Sequence, residues 1–443
     1  MTIPGKVYEN AREMLDFIER SPSCYHVVAN VKTMLKEAGY LELSEAEDWT
    51  ECLKEETGTR RFFVVRNDSS LIAVQMPGGK AKGFHISAAH SDSPCYKIKE
   101  KPEITVEGAY TKLNVEGYGG MIRSTWLDRP LSVAGRIAVE TPEGIRTQLV
   151  CVDRDLCVIP NLAIHMNRGM NEGFEYNQQV DMLPLFGDGE VEKGDLLKVV
   201  AEAAGLYEGE EPCPDRILGH DLFLYTRQKG LMIGTKGEFV MSPRLDDLQC
   251  VFAEVKGLLA AEPGNFINVC VVFDNEEVGS GTRQGADSTF LEDVLQRICA
   301  VRGGDGLTLE QRIPESFMIS ADNAHAVHPN HPEKADPTNR PYLNGGIVIK
   351  FHGSQKYTTD AVSAAQMKHI CSRAGVPYQT YTNRSDVAGG STLGHISTAH
   401  VSVATVDIGL PQLAMHSSVE TAGTMDTEYA VRMFTEYFSE ELG

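Results

Sequence analysis

At 443 residues and 42% hydrophobic side chains, the chain is too long for one ordinary core and has enough apolar mass for two or three packed units. Its 41 basic and 62 acidic side chains give a formal charge of −21, which repels phosphate backbones and anionic lipid, so nucleic acid and membrane surfaces are not expected partners. No apolar run approaches a membrane span, and the ten cysteines are scattered without a Cys-x-x-Cys pair, as buried free thiols such as Cys250 and Cys270 would be.

The first residues, MTIPGKVYENAREML, run straight into charged helical sequence without the apolar core of a signal peptide. A cytoplasmic location is therefore expected. Amphipathic periodicity predicts helices over 9–40, broken at Ser21-Pro22-Ser23 and stopped at Gly39. Strand-like runs RRFFVVR and LIAVQM follow, then a Pro77-Gly78-Gly79 turn and another strand over 83–89.

From about residue 97 to 234 the pattern shifts to short alternating segments, with a Thr-Pro-Glu-Gly hairpin turn at 141–144 and one helix near 195–204. That middle third reads as a β-rich insert. Beyond 242 a helix is expected over 245–259 and a continuously apolar strand over 266–273. Further strands are expected at 317–320, 346–351 and 401–406, with a helix over 360–374. Continuous apolar strands alternating with helices predict a mostly parallel sheet covered on both faces. The expected architecture is an α/β domain in two pieces, 1–96 and 235–443, interrupted by the inserted domain 97–234.

Sites in such sheets form just past the carboxyl ends of strands. GFHISAAHSD delivers His90 and Asp92 there, INVCVVFDNEE delivers Glu276 and Glu277, and SFMISADNAHAVHP delivers Asp322. The segment VSVATVDIGLP leads to a loop carrying His416, and Asp246 in SPRLDDLQ opens a helix, where the dipole favours a carboxylate. A His-x-Asp pair, a Glu-Glu pair or an acidic helix cap is ordinary surface chemistry when it stands alone. Convergence of five such positions is what points to metal. Two adjacent glutamates at a strand mouth are costly unless a cation neutralises them, and a cation also splits their roles into ligand and base.

Charge supports two ions. Asp246, Glu277 and Asp322 bring three negative charges while His90 and His416 stay neutral, so two Zn²⁺ and a bridging hydroxide leave the centre near neutral. Mixed histidine and carboxylate donors suit zinc, and also admit Mn²⁺ or Co²⁺. His325, His328 and His331, spaced by Pro329 and Pro332, are given no ligand role.

The motifs HSDSPCYKIK, TWLDRPLSVAGRI, SPRLDDL, DNEEVGS, SADNAHAVHPN, GGIVIKFHGSQKYTTDAVS and AMHSSVE together resemble the aspartyl aminopeptidases, a family of dinuclear-zinc exopeptidases. The resemblance covers nearly the whole chain. It implies two Zn²⁺ per subunit, with Asp246 bridging, His90 and Asp322 on one ion, and Glu277 and His416 on the other. Glu276 would be the general base acting on a water between the metals, and Asp92 would orient His90. It further implies peptide substrates with a free N-terminus and an acidic first residue, with Lys350 and Tyr357 in the side-chain pocket. The insert would be a dimerisation domain whose loop places His165 in the neighbouring subunit's site, and dimers would assemble into a closed dodecamer. Two segments, SDVAGGSTLGHI and SSVETAGTMD, depart from the animal-type pattern, which bears on side-chain preference. The alternatives left open are a neutral or broad-specificity exopeptidase, a carboxypeptidase or deacylase on the same core, and a non-catalytic assembly protein.

Overall fold

The computed structural model describes residues 5–53, 59–301 and 307–439. Among the described residues, nine strands form one sheet in the order Leu41–Leu43, Arg60–Arg66, Ser70–Met76, Ile267–Phe273, Phe84–His90, Phe317–Ala321, Ala404–Gly409, Ile347–Lys350, Tyr378–Tyr381. Five of its eight pairings are parallel and three antiparallel, so the sheet is mixed at its flanks. The four strands Ile267–Phe273, Phe84–His90, Phe317–Ala321 and Ala404–Gly409 are consecutive and mutually parallel. Their carboxyl ends therefore open on one edge.

Continuous apolar sequence makes these strands. Every residue of Ser70–Met76, Phe84–His90, Ile267–Phe273 and Phe317–Ala321 is buried, because helices cover both faces. One face packs under Gly5–Glu19, Cys24–Glu37, Leu245–Ala260, Ala361–Ala374 and Thr424–Ser439, with Val251, Val255, Met433 and Phe434 in its core. The other face packs under Phe290–Val301 through Phe290, Leu291 and Leu295. Where Leu245–Ala260 meets Thr424–Ser439, a Cβ on Gly257 would stand 2.4 Å from the Phe434 Cβ. Only glycine lets those helices approach so closely.

A second, six-stranded sheet is built from Cys95–Val106, Tyr110–Tyr118, Leu131–Thr141, Gly144–Cys151, Leu185–Asp188 and Ile217–Thr226. It is antiparallel throughout, has its own core around Tyr96, Trp126, Leu131 and Leu222, and packs the helix Asp195–Ala203. A five-stranded sheet of short segments joins Leu231–Ile233, Phe239–Ser242, Glu420–Gly423, Pro411–Leu413 and Ala324–His325. Leu231–Ile233 thus pairs with Phe239–Ser242 beyond it rather than with the six-stranded sheet, although its residue pattern matches the insert.

Two local expectations shift. The strand expected at 401–406 runs over Ala404–Gly409. Val401 and Val403 are buried against the core without joining the ladder, so their apolar character misplaced the boundary. The helix at 245 does not start regularly, since Asp246 and Asp247 have non-helical backbone angles and are joined by a cis peptide bond. Asp246 is therefore not held by an ordinary helix start. No described helix is long and apolar enough to cross a membrane.

Candidate metal centre

Three strand ends and two loops bring the expected donors together. His90 ends its strand, Glu276 and Glu277 lie in a short 3-10 turn three residues past Phe273, and Asp322 follows Ala321 directly. Donor atoms of His90, Asp246, Asp247 and Asp322 all lie within 4.8 Å of one another, as do those of Asp246, Glu277 and His416, and those of His90, Glu276 and Glu277. Asp246 stands in the middle. Its Oδ1 is 3.4 Å from His90 Nε2 and its Oδ2 is 3.6 Å from His416 Nε2, which is also 3.4 Å from Glu277 Oε2.

The tautomers of both histidines are fixed by what lies behind them. His90 Nδ1 faces the Asp92 carbonyl oxygen at 3.0 Å, and His416 Nδ1 faces the Gly120 carbonyl oxygen. A carbonyl only accepts, so each Nδ1 carries a hydrogen and each ring turns its Nε2 toward Asp246. Without a cation, burial lowers the His90 ring's pKa but Asp246 and Asp92 outweigh it and hold the pKa up; a bound cation would take the Nε2 lone pair instead. Asp92 thus meets His90 Nδ1 through its main-chain carbonyl, and its carboxylate, 3.3 Å from the same nitrogen, has other partners as well. That carboxylate accepts the backbone N–H groups of Glu276 and Glu277, each at 3.1 Å, and the Tyr118 hydroxyl at 2.8 Å.

Burial is the largest influence on Asp246, Asp247, Glu276, Glu277 and Asp322, and on each it acts to raise the pKa. Glu277 and Asp247 are pushed well up, with Asp246 repelling both. Asp322 is also raised, and Glu276 is pushed up to about 8, with Asp322, Asp92 and Asp246 adding to burial. Asp246 alone is lowered against its burial, by His90 and His416 on either side. Among the described residues, Asp246 Oδ1, Asp247 Oδ1 and Glu277 Oε1 are buried without a hydrogen-bond partner. Oxygens so placed fit divalent cations, which would replace the protons these groups otherwise share.

Several contributors were not singled out from sequence. Asp247 is fully buried and accepts the His90 backbone N–H at 3.3 Å; its only signal is the doubled Asp in SPRLDDL. Glu420, also buried, accepts the backbone N–H of Asp246 at 3.0 Å and of His416 at 2.8 Å, so one carboxylate ties two donors' main chains together. Its position four residues past His416 in AMHSSVE was the available clue.

A cavity of about 310 Å³ opens beside these groups. Asp246, Glu276, Asp322 and His416 form one wall, and Lys350, Tyr357, His325 and Tyr381 line the rest. Lys350 is buried with its ammonium 3.8 Å from Asp322 Oδ2 and 5.5 Å from the Tyr357 ring. Burial pulls its pKa down, but Asp322, Tyr357 and Asp407 outweigh that, and the net direction is up. His165 is not brought to this site; it is exposed in a turn-rich loop of the second sheet. His328 and His331 are exposed and belong to no cluster of metal-donor groups among the described residues.

A parallel sheet edge carrying buried, unsatisfied carboxylates and two pre-set imidazoles defines an α/β zinc-exopeptidase fold. More narrowly, the chain belongs to the aminopeptidase I zinc metalloprotease (M18) family, whose profile matches residues 17–438. It is similar to a probable M18 family aminopeptidase 2 of Clostridium acetobutylicum, 47% identical over 438 residues, 97% of this chain and 99% of that protein. Its fold is similar to that in a cryo-EM structure of the Ape4 and Nbr1 complex, with a TM-score of 0.92, 36% identity and coverage of 99% of this chain and 88% of that one. The mApe1 dodecamer of S. cerevisiae is similar at a TM-score of 0.84 and 28% identity, covering 97% of this chain and 96% of that one. The chain is an aminopeptidase of a zinc-dependent class.

Proposed function

We propose that this aminopeptidase removes an acidic residue, Asp or Glu, from the free N-terminus of peptides, with two Zn²⁺ held by His90, Asp246, Asp322, Glu277 and His416. The observation that carries the metal reading is the shared orientation of the two histidines, each with Nε2 toward Asp246. When bound, such cations polarise the scissile carbonyl and make water acidic enough to attack it near neutral pH; Mn²⁺ or Co²⁺ would serve the same purpose. Glu276 accepts a proton from the attacking water and delivers it to the departing amine. Its neighbour Glu277 is suited to ligation, because it groups with Asp246 and His416 and its Oε1 is buried without a hydrogen-bond partner.

Among the described residues lining the cavity, Lys350 is the only Lys or Arg, which supports recognition of a carboxylate side chain, with Tyr357 beside it. Its 3.8 Å approach to Asp322 favours the second reading, a neutral or broad preference, because part of its charge is then used internally. Hydrolysis of Asp-X, Leu-X and N-acetylated peptides by parent and Lys350→Met decides between them. The proposal expects Lys350→Met to lose about 10- to 100-fold in kcat/KM on Asp-X, as for a lost charge-assisted hydrogen bond, and little on Leu-X. Unchanged discrimination removes the role of Lys350, and cleavage of acetylated peptides removes the aminopeptidase specificity.

The same reading makes residues 97–234 a dimerisation unit, with dimers assembling into a dodecamer; the S. cerevisiae relative is itself a dodecamer. Exposed Leu162, Ile164 and Met166 around His165 support it, since a partner would cover them and receive that histidine in its own site.

A further inference from the structure

The six-stranded sheet touches the site through the end of its strand Tyr110–Tyr118 and the two glycines after it. The Tyr118 hydroxyl donates to Asp92 Oδ2 at 2.8 Å and accepts from the Asn275 side-chain amide at 2.8 Å. Through Asp92 the phenol stands one hydrogen bond away from the main chain of both Glu276 and Glu277. Two residues on, the Gly120 carbonyl accepts from His416 Nδ1. Gly119 between them has φ +74°, and a Cβ there would stand 3.1 Å from the Glu277 Cβ.

This matters because the turn Glu276–Val278 is short, its own backbone bonds running only from Val278 and Ser280 to the Asn275 carbonyl and from Gly279 to the Glu276 carbonyl. It is a single 3-10 turn set between two left-handed residues, Asn275 at φ 63° and Gly279 at φ 95°. Those bonds do not include the N–H groups of Glu276 and Glu277, which reach outside the turn to Asp92. Asp92 thus ties both glutamates' main chains from outside the turn, and Tyr118, bonded in turn to Asn275, holds Asp92. Burial and the nearby Asp92 and Asp274 carboxylates push the phenol's pKa far up, so its hydroxyl keeps its proton and remains a donor.

We propose that Tyr118 is a positioning residue for peptide hydrolysis, and that the segment Tyr118–Gly120 keeps Glu276, Glu277 and His416 in register with one another. The proposal rests on the roles given above to those three residues. It makes the second sheet part of the catalytic scaffold and not only a contact surface.

Tyr118→Phe in the full-length, metal-loaded enzyme removes the hydroxyl and keeps the ring. The expected result is a fall in kcat of about 10- to 100-fold with KM and melting temperature nearly unchanged, as for other partners that orient metal-site groups. Phe223→Leu is the companion variant, because Phe223 packs edge-on against the Tyr118 ring at 5.6 Å without touching its hydroxyl. It should lower the melting temperature and leave kcat in place. Parental kcat in Tyr118→Phe overturns the proposal, and so does an equal kcat loss in Phe223→Leu, which would assign the effect to packing. Should Tyr118→Phe fail to fold, Gly119→Ala carries the test: it crowds Glu277 and should also lower kcat, and full kcat there overturns the proposal. Glu276→Gln is measured alongside. If it is active, the base assignment fails and this proposal falls with it; if it is inactive while Tyr118→Phe keeps full kcat, only the positioning role fails.

Discussion

The two large sheets hold their residues in contrasting ways. In the nine-stranded sheet the central strands are buried along their whole length on both faces. In the six-stranded sheet burial is uneven: Leu131–Thr141 and Ile217–Thr226 each have a continuously buried stretch, but Gly144–Cys151 is exposed over its first half, and Ile145, Tyr110 and Leu218 lie in the open. A strand packed on both sides fixes its last residue rigidly, which is what a site assembled from distant segments requires. A strand packed on one side leaves the other for contacts elsewhere, and this sheet spends one end on the site at Tyr118 and Gly120.

The largest effect expected from breaking this arrangement is at the rigid edge itself. Glu276→Gln should cost about 10²- to 10⁴-fold in kcat while metal content, read by elemental analysis, stays at the parental level. Loss of metal together with activity would instead make Glu276 a ligand.

Next comes the packing contrast. Ile72→Ala in the doubly covered strand should destabilise by about 2–5 kcal/mol, whereas Ile145→Ala on the open strand should change stability by under about 0.5 kcal/mol. Chemical denaturation compares them directly, and similar costs would erase the difference between the sheets.

The smallest expected effect is in pH dependence. As the proposed base, Glu276 would work only as a carboxylate, so kcat/KM should fall as pH drops through its pKa, about tenfold per unit in the acid limb. Nearby burial and acids hold that carboxyl up to about 8, and bound cations pull it lower. The midpoint is therefore expected below 8. A rate that climbs as pH falls would contradict the base role.

How far the sequence was readable follows the same contrast. His90, Glu276, Glu277 and Asp322 were legible because each closes an apolar run that can only be a buried strand. The two opening helices, parted near Ser21, and the helix Ala361–Ala374 were legible from their periodicity and stops. Asp246 stood out as an acid at a helix start, yet the structure places it on irregular backbone that no periodicity reveals. Tyr118 and Gly120 were not legible at all, and Glu420 offered only its place four residues past His416. They matter only through hydrogen bonds to residues far along the chain, Asp92 and His416 among them, and a single sequence carries no sign of such pairings. His165 was named from resemblance alone, and its own surroundings in one subunit give it nothing to do.

Whether divalent ions do the chemistry is settled most directly by removing them. Purified protein stripped with a chelator, and shown by circular dichroism to remain folded, should lose hydrolysis of Asp-X peptides and regain it when Zn²⁺, Mn²⁺ or Co²⁺ is returned. Full hydrolysis by the folded, stripped protein would contradict the account.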